Sequence, residues 1–163
     1  MKIARMFFAV ALIVAVGQVV KGYDGHDHSQ EGPQPSKREQ LRAAVQEICP
    51  VSGERLGEHG PPIKVAIGDQ GQHVYFCCQA CLKGKIDPQH WAKIHANFAS
   101  AQRMCPVMGK PLPQNPKWTI VDGQVIYICC PSCSKKLAAD PEPYLRKLDG
   151  FYTASLQAKQ ARR

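Results

Sequence analysis

MCPVMG at residues 104–109 and ICCPSC at residues 128–133 are the stretches on which the reading of this chain turns. Nearly the same pair stands earlier, as ICPVSG at 48–53 and FCCQAC at 76–81. The eight cysteines therefore fall into two matching sets of four: Cys49, Cys77, Cys78 and Cys81, then Cys105, Cys129, Cys130 and Cys133. Self-similarity on this scale marks a repeated structural unit. In each set one cysteine leads and a CCxxC follows, after 27 residues in the first set and 23 in the second.

The residues between the two halves read as hairpins. Ile63 to Ile67 and His73 to Cys77 are short strand-like runs separated by Gly68-Asp69-Gln70-Gly71. Trp118 to Val121 and Gln124 to Cys129 are joined by Asp122-Gly123, one of the strongest short turn signals. Just past each hairpin the pattern shifts from strand to helix, with Cys78 and Cys81 three apart on a first turn whose free amides favour thiolate.

Helices flank these hairpins. Ser36 with Glu39 three residues on forms a capping signature, and Leu41, Ala44, Val45 and Ile48 follow at helical spacing. That helix is expected to run into the first CPVSG and to end at Pro50 and Gly53. Asp87-Pro88 starts a further helix through Trp91, Ile94, His95 and Phe98 towards Met104, so the helix leaving unit one also enters unit two. Asp140-Pro141 starts another through Tyr144, Leu145 and Leu148, with Gly150 expected to stop it. Trp91 and Tyr144, each three residues past its proline, read as core aromatics packing over their hairpins.

The units are expected at residues 37–100 and 101–152, followed by a basic C-terminal tail at 153–163 in which Ala154 to Arg163 read as a frayed basic helix. Cores of this size seldom supply more than roughly 3 to 5 kcal/mol, so each needs a staple of metal or disulfide. Residues 1–22 read as a signal peptide, with Lys2 and Arg5 before an apolar run from Met6 to Val16 that is short for a membrane span. An uncleaved anchor is the alternative. Residues 23–36 lack large apolar side chains and read as a disordered linker, within which His26, Asp27 and His28 are either weak metal donors or solvated polar residues.

Cleavage would remove three basic residues and no acid, lowering the formal charge from +8 to +5. The remaining basic residues are scattered, without interleaved aromatics, which argues against a nucleic-acid partner. There is no GxSxG, no phosphate loop and no distinctive carboxylate pair, so the chain does not read as an enzyme. The expected location is exported, periplasmic or extracellular, with no stable membrane insertion after cleavage.

A knuckle, a hairpin and a helix start would bring each set of four sulfurs together, as a tetrahedral thiolate centre with bonds of about 2.3 Å requires. On the C-terminal side the donors are either Cys77 with Cys81 or Cys78 with Cys81, and Cys77 is otherwise an apolar filler at a strand end. Met108 is either a thioether ligand suited to Cu⁺ or packing under the knuckle, where unit one has Ser52. His59, His73, His90 and His95 lack counterparts in unit two and read as surface or core residues. Two other classes compete. Four structural disulfides would make an interaction or scaffold protein, and CQAC or CPSC at a helix start would make a thiol oxidoreductase through Cys78 or Cys130.

CPVSG with FCCQAC, and CPVMG with YICCPSC and DPEPY, resemble the TRASH and YHS families of small heavy-metal-binding domains, here as a tandem pair over roughly residues 45 to 150. The resemblance implies an α+β fold of two small tandem treble-clef-like zinc-finger units. It also implies a role in zinc or copper binding, trafficking or resistance, with one Zn²⁺ or Cu⁺ per unit and a metal-transport or metal-sensing protein as partner. The ligands it implies are Cys49, Cys77 and Cys81, and Cys105, Cys129 and Cys133. This chain departs from the pattern in the longer gap of its first unit and in having Ser52 or Met108 at the second knuckle position.

Overall fold

Ser36 opens the first helix, α1 (Lys37–Gln46), by accepting from the amide of Glu39 while the Glu39 side chain takes the Ser36 amide, the reciprocal cap its sequence predicts. The computed structural model describes residues 34–162; the expected signal peptide and residues 23–33 of the expected linker, including His26, Asp27 and His28, lie outside them. Among the described residues the architecture is α+β, with four helices and two separate antiparallel hairpins, each beside one cluster of cysteines.

The first hairpin pairs β1 (Ile63–Ile67) with β2 (Gln72–Phe76), Val65 facing Val74. A single 3-10 turn (Ala80–Lys83) follows, then α2 (Pro88–Gln102), where Asp87 accepts from the amides of Gln89 and His90 ahead of proline at the first helical position. The second hairpin pairs β3 (Lys117–Val121) with β4 (Gln124–Ile128), Thr119 facing Ile126. Its turn residues Asp122 and Gly123 have φ of 49° and 71°, the left-handed pair that a two-residue hairpin needs. Two helices close the chain, α3 (Ser132–Ala139) and α4 (Glu142–Gln160).

Two helix ends differ from the sequence reading. The first helix stops at Gln46, before Pro50, because Glu47 turns the chain with φ of 71°, and α2 ends in the same way at Arg103, with φ of 56°. Meanwhile α4 runs straight through Gly150 to Gln160, so the helix expected in the tail from Ala154 is a continuation of α4 and Gly150 does not stop it. An interior glycine costs a helix about 1 kcal/mol. Packing beyond it outweighs that cost: Tyr152 is fully buried, and Phe151 and Leu156 lie against the main core.

Helices α1, α2 and α4 pack on one another, with β2 and β4 as the inner strands of their hairpins. The main core joins Val45 of α1, Ile94 and Phe98 of α2, all the apolar residues of β4, Leu137 of α3, and Leu145, Leu148 and Tyr152 of α4. A smaller cluster holds Val74, Phe76 and the first set of cysteines, and Trp91 packs against both. Buried Arg42 clasps α1 to α4: it pairs with Asp149 at 2.7 Å, donates to Gln124 at 2.7 Å and lies 4.5 Å over the Tyr152 ring. The hairpins meet where the His73 amide donates to the Gly123 carbonyl at 2.7 Å. Among the described residues, no helix is long and apolar enough to cross a membrane.

Candidate metal centres

Each centre begins with a knuckle. The Cys49 amide donates to the Glu54 carbonyl at 2.8 Å and the Gly53 amide to the Cys49 carbonyl at 3.0 Å; Cys105, Lys110 and Gly109 repeat both bonds at 2.8 Å. Gly53 and Gly109 have φ of 74° and 64°, which the tight reversal demands. At Gly53 a side chain would also strike the His90 ring, 2.6 Å from where its Cβ would stand. The inner strand then delivers Cys77 or Cys129 to the mouth of the knuckle, and the turn after it brings in the remaining two sulfurs.

In the first centre the sulfurs of Cys49, Cys77 and Cys81 all lie within 4.8 Å of one another. Cys77 and Cys81 are 3.6 Å apart, and Cys78 lies 3.8 Å from Cys77 and 3.7 Å from Cys81. The second centre gathers Cys105, Cys129 and Cys133 within the same limit. There Cys133 is 3.8 Å from Cys105 and 3.9 Å from Cys129, while Cys130 is 4.0 Å from Cys129 and 3.1 Å from Cys133. Thiolates bound tetrahedrally at about 2.3 Å sit about 3.8 Å apart. All eight cysteines thus reach the two centres: Cys49, Cys77 and Cys81 are buried in the first, Cys105 and Cys133 in the second, with Cys129, Cys78 and Cys130 half-buried and the last two at the rim. Either cluster suits a metal ion.

The remaining candidate residues fall differently. Met108 is 46% exposed, and its backbone amide faces the Cys105 sulfur. Ser52 presents its hydroxyl 3.4 Å from the Cys77 sulfur, and the Cys77 thiol donates to the Glu54 carboxylate at 3.6 Å. His59 reaches that same carboxylate at 3.4 Å. His95 bonds the Tyr127 hydroxyl at 2.7 Å and lies edge-on to Trp91 and tilted against Trp118.

Burial and backbone dipoles pull the thiols apart. Burial works against ionising Cys49, yet the amides of Cys77, Ser52 and Val51 bring it down to about 7. Cys105 is lowered in the same way, against its burial, by the amides of Cys129, Met108 and Val107. Burial pushes Cys77 up to about 12 and also raises Cys81, Cys129 and Cys133. At the rim, the Ser132 hydroxyl and then Cys133 hold Cys130 down at about 7, and the Cys81 amide lowers Cys78. One sulfur under each knuckle and one on each rim therefore ionise more readily than an ordinary thiol. An arriving cation completes ionisation of the others, because coordination displaces thiol protons.

Sequence reasoning missed the residue that holds each centre in shape. Fully buried Gln46 donates to the Ile48 carbonyl at 2.9 Å and the Tyr75 carbonyl at 2.6 Å, and accepts from the Tyr75 amide at 2.9 Å. Gln102 does the same with Met104 at 3.0 Å and with Tyr127 at 2.6 and 2.9 Å. One side chain thus ties helix end, knuckle and inner strand. The available signal is that QEIC at 46–49 and QRMC at 102–105 align when the repeats are superposed.

No protein-family model, curated protein or solved structure matches this chain.

Proposed function

We propose that this is an exported, non-catalytic metal-binding protein that holds two thiophilic ions, Zn²⁺ or Cu⁺, one per unit, in heavy-metal binding, trafficking or resistance. The observation that carries it is the convergence of three sulfurs, with a fourth on the rim, at each of two places and at spacings a tetrahedral thiolate centre uses. The resemblance of the two CPVxG and CCxxC pairs to TRASH and YHS domains supports the same reading, and the charged and apolar start of the chain supports export. A metal-transport or metal-sensing protein is the partner such a role calls for.

Native mass spectrometry of the full chain, purified under reducing conditions with Zn²⁺, tests this directly. Two bound ions are expected, and Cys49→Ser or Cys105→Ser should each remove one. Four disulfides and no metal would reject the reading. One observation favours a second function, dithiol chemistry at CPSC: Cys130 and Cys133 stand only 3.1 Å apart. Under that reading Cys130→Ser would abolish disulfide exchange with a small dithiol.

A further inference from the structure

The two centres use the same sulfurs in unlike settings. Cys105 and Cys133 are part of the main core beside Ile94, Leu137, Leu145 and Leu148. Cys49, Cys77 and Cys81 share their separate cluster with only Val74 and Phe76 as other buried members. Cys133 lies in an eight-residue helix, whereas Cys81 lies in a single 3-10 turn that also holds exposed Leu82, is ended by Gly84 and is followed by exposed Ile86. Opening the first centre therefore uncovers little apolar surface, while opening the second disturbs the core of the whole molecule, and segments with few buried contacts open most readily.

Charge separates the centres as well. The residue after the knuckle glycine is Glu54 in unit one and Lys110 in unit two. A sulfur at about 2.3 Å and an oxygen at about 2.0 Å from a tetrahedral ion lie about 3.5 Å apart. The Glu54 carboxylate, 3.6 Å from the Cys77 sulfur, stands one such edge away, and the Ser52 hydroxyl is at 3.4 Å. In unit two the corresponding positions carry exposed Met108 and exposed Lys110, and Lys147 donates to the Pro106 carbonyl of the knuckle at 3.4 Å. A divalent ion held by four thiolates bears net negative charge, which lysines stabilise and a carboxylate opposes.

From these differences we propose that the first centre exchanges its metal ion and the second retains it, with Glu54 as the incoming donor of the exchange. The proposal rests on the reading that both clusters bind thiophilic cations. Exchange replaces one metal–thiolate bond by a bond to the Glu54 carboxylate; the ion keeps its oxidation state, and the freed thiolate takes a proton from solvent. With a resident fifth donor, the ion need not lose a ligand before a receiving thiol attacks. The second centre has no such donor at the matching position and acts as the permanent staple.

The test uses the full chain loaded with Cd²⁺ and followed by cadmium NMR, the two signals being assigned with Cys78→Ser and Cys130→Ser. On challenge with EDTA, the first-centre signal should decay at least roughly tenfold faster than the second. Glu54→Gln should slow that decay severalfold without changing the second signal, and Glu54→Lys, which copies unit two, should slow it further. Equal decay, or faster loss from the second centre, overturns the division of labour, and a rate difference unaffected by either Glu54 variant overturns the role of Glu54. Failure to take up any Cd²⁺ rejects metal binding itself, a result distinct from two ions that leave together.

Discussion

Gln46 and Gln102 show how much one uncharged side chain can organise. Each makes three hydrogen bonds to backbone groups, and a hydrophobic replacement of similar length would strand all three partners away from water. Unsatisfied buried groups cost about 1 to 3 kcal/mol each, so Gln102→Met should destabilise the chain by roughly 3 kcal/mol in denaturant titrations. A loss below about 1 kcal/mol would show that water replaces the amide. The cysteines were legible because their chemistry is narrow and their spacing repeats. Gln46 was not, since a glutamine in a helical pattern ordinarily faces solvent. Arg42 escaped notice for the same reason: its burial depends on Asp149 and Tyr152, more than a hundred positions away in sequence, which no local pattern reports.

At the scale of elements, caps and turns were the most readable features, because each is a local contract between a few residues. The Ser36 cap, the Asp87-Pro88 start and the Asp122-Gly123 turn all stand where the sequence places them. Gly150 was misleading because tertiary burial of Tyr152 decides the length of α4. The hairpin turn yields a sharper expectation. Gly123 has φ of 71°, and a side chain there would come within 2.4 Å of the His73 ring. Left-handed backbone on an ordinary residue costs of order 1–3 kcal/mol, so Gly123→Ala should lower stability by about that much and broaden the amide signal of His73, which bonds to its carbonyl. Unchanged stability would mean the hairpins are not held together there. The α1 cap carries a pH dependence. Lys64, and then Ser36, hold Glu39 down at about 2 against an ordinary 4.5. A depressed carboxylate contributes stability fully above its unfolded value, lost as pH falls from there through about 2. Glu39→Gln should therefore flatten acid unfolding in that window; an unaltered profile would show that the Lys64 pair is screened by solvent.

For the whole molecule, the two small units expected to need a staple each stand beside two clusters of unequal size, a main core that draws on both repeats and a smaller one at the first centre. Ile94 and Phe98 sit in the helix the repeats share, yet they pack with the residues around Cys105 and Cys133. A fragment covering residues 101–163 should consequently fail to fold cooperatively even with metal, as judged by hydrogen exchange, whereas the chain from 34 onward should. Removing metal with a chelator under reducing conditions should cost the most stability through the second centre, since structural thiolate sites contribute on the order of 10 to 16 kcal/mol in small zinc modules. Protection in β1 and β2 should vanish first and the global transition should follow. A single simultaneous loss would show that both hairpins belong to one cooperative block.

The double duty of α2, exit from one repeat and entry to the next, has a geometric corollary. An α-helix turns about 100° and rises about 1.5 Å per residue, so this helix works as an indexing shaft that fixes the angular phase of one cysteine cluster against the other. Inserting a single residue near Asn97 would swing the second cluster by more than a quarter turn and pull Gly123 away from His73. Inserting a full heptad would nearly restore the phase and lengthen the shaft by about 10 Å. Drift in the spacing of the two units is thus quantised, and the 56-residue offset between Cys49 and Cys105 is a gear ratio more than a loop length.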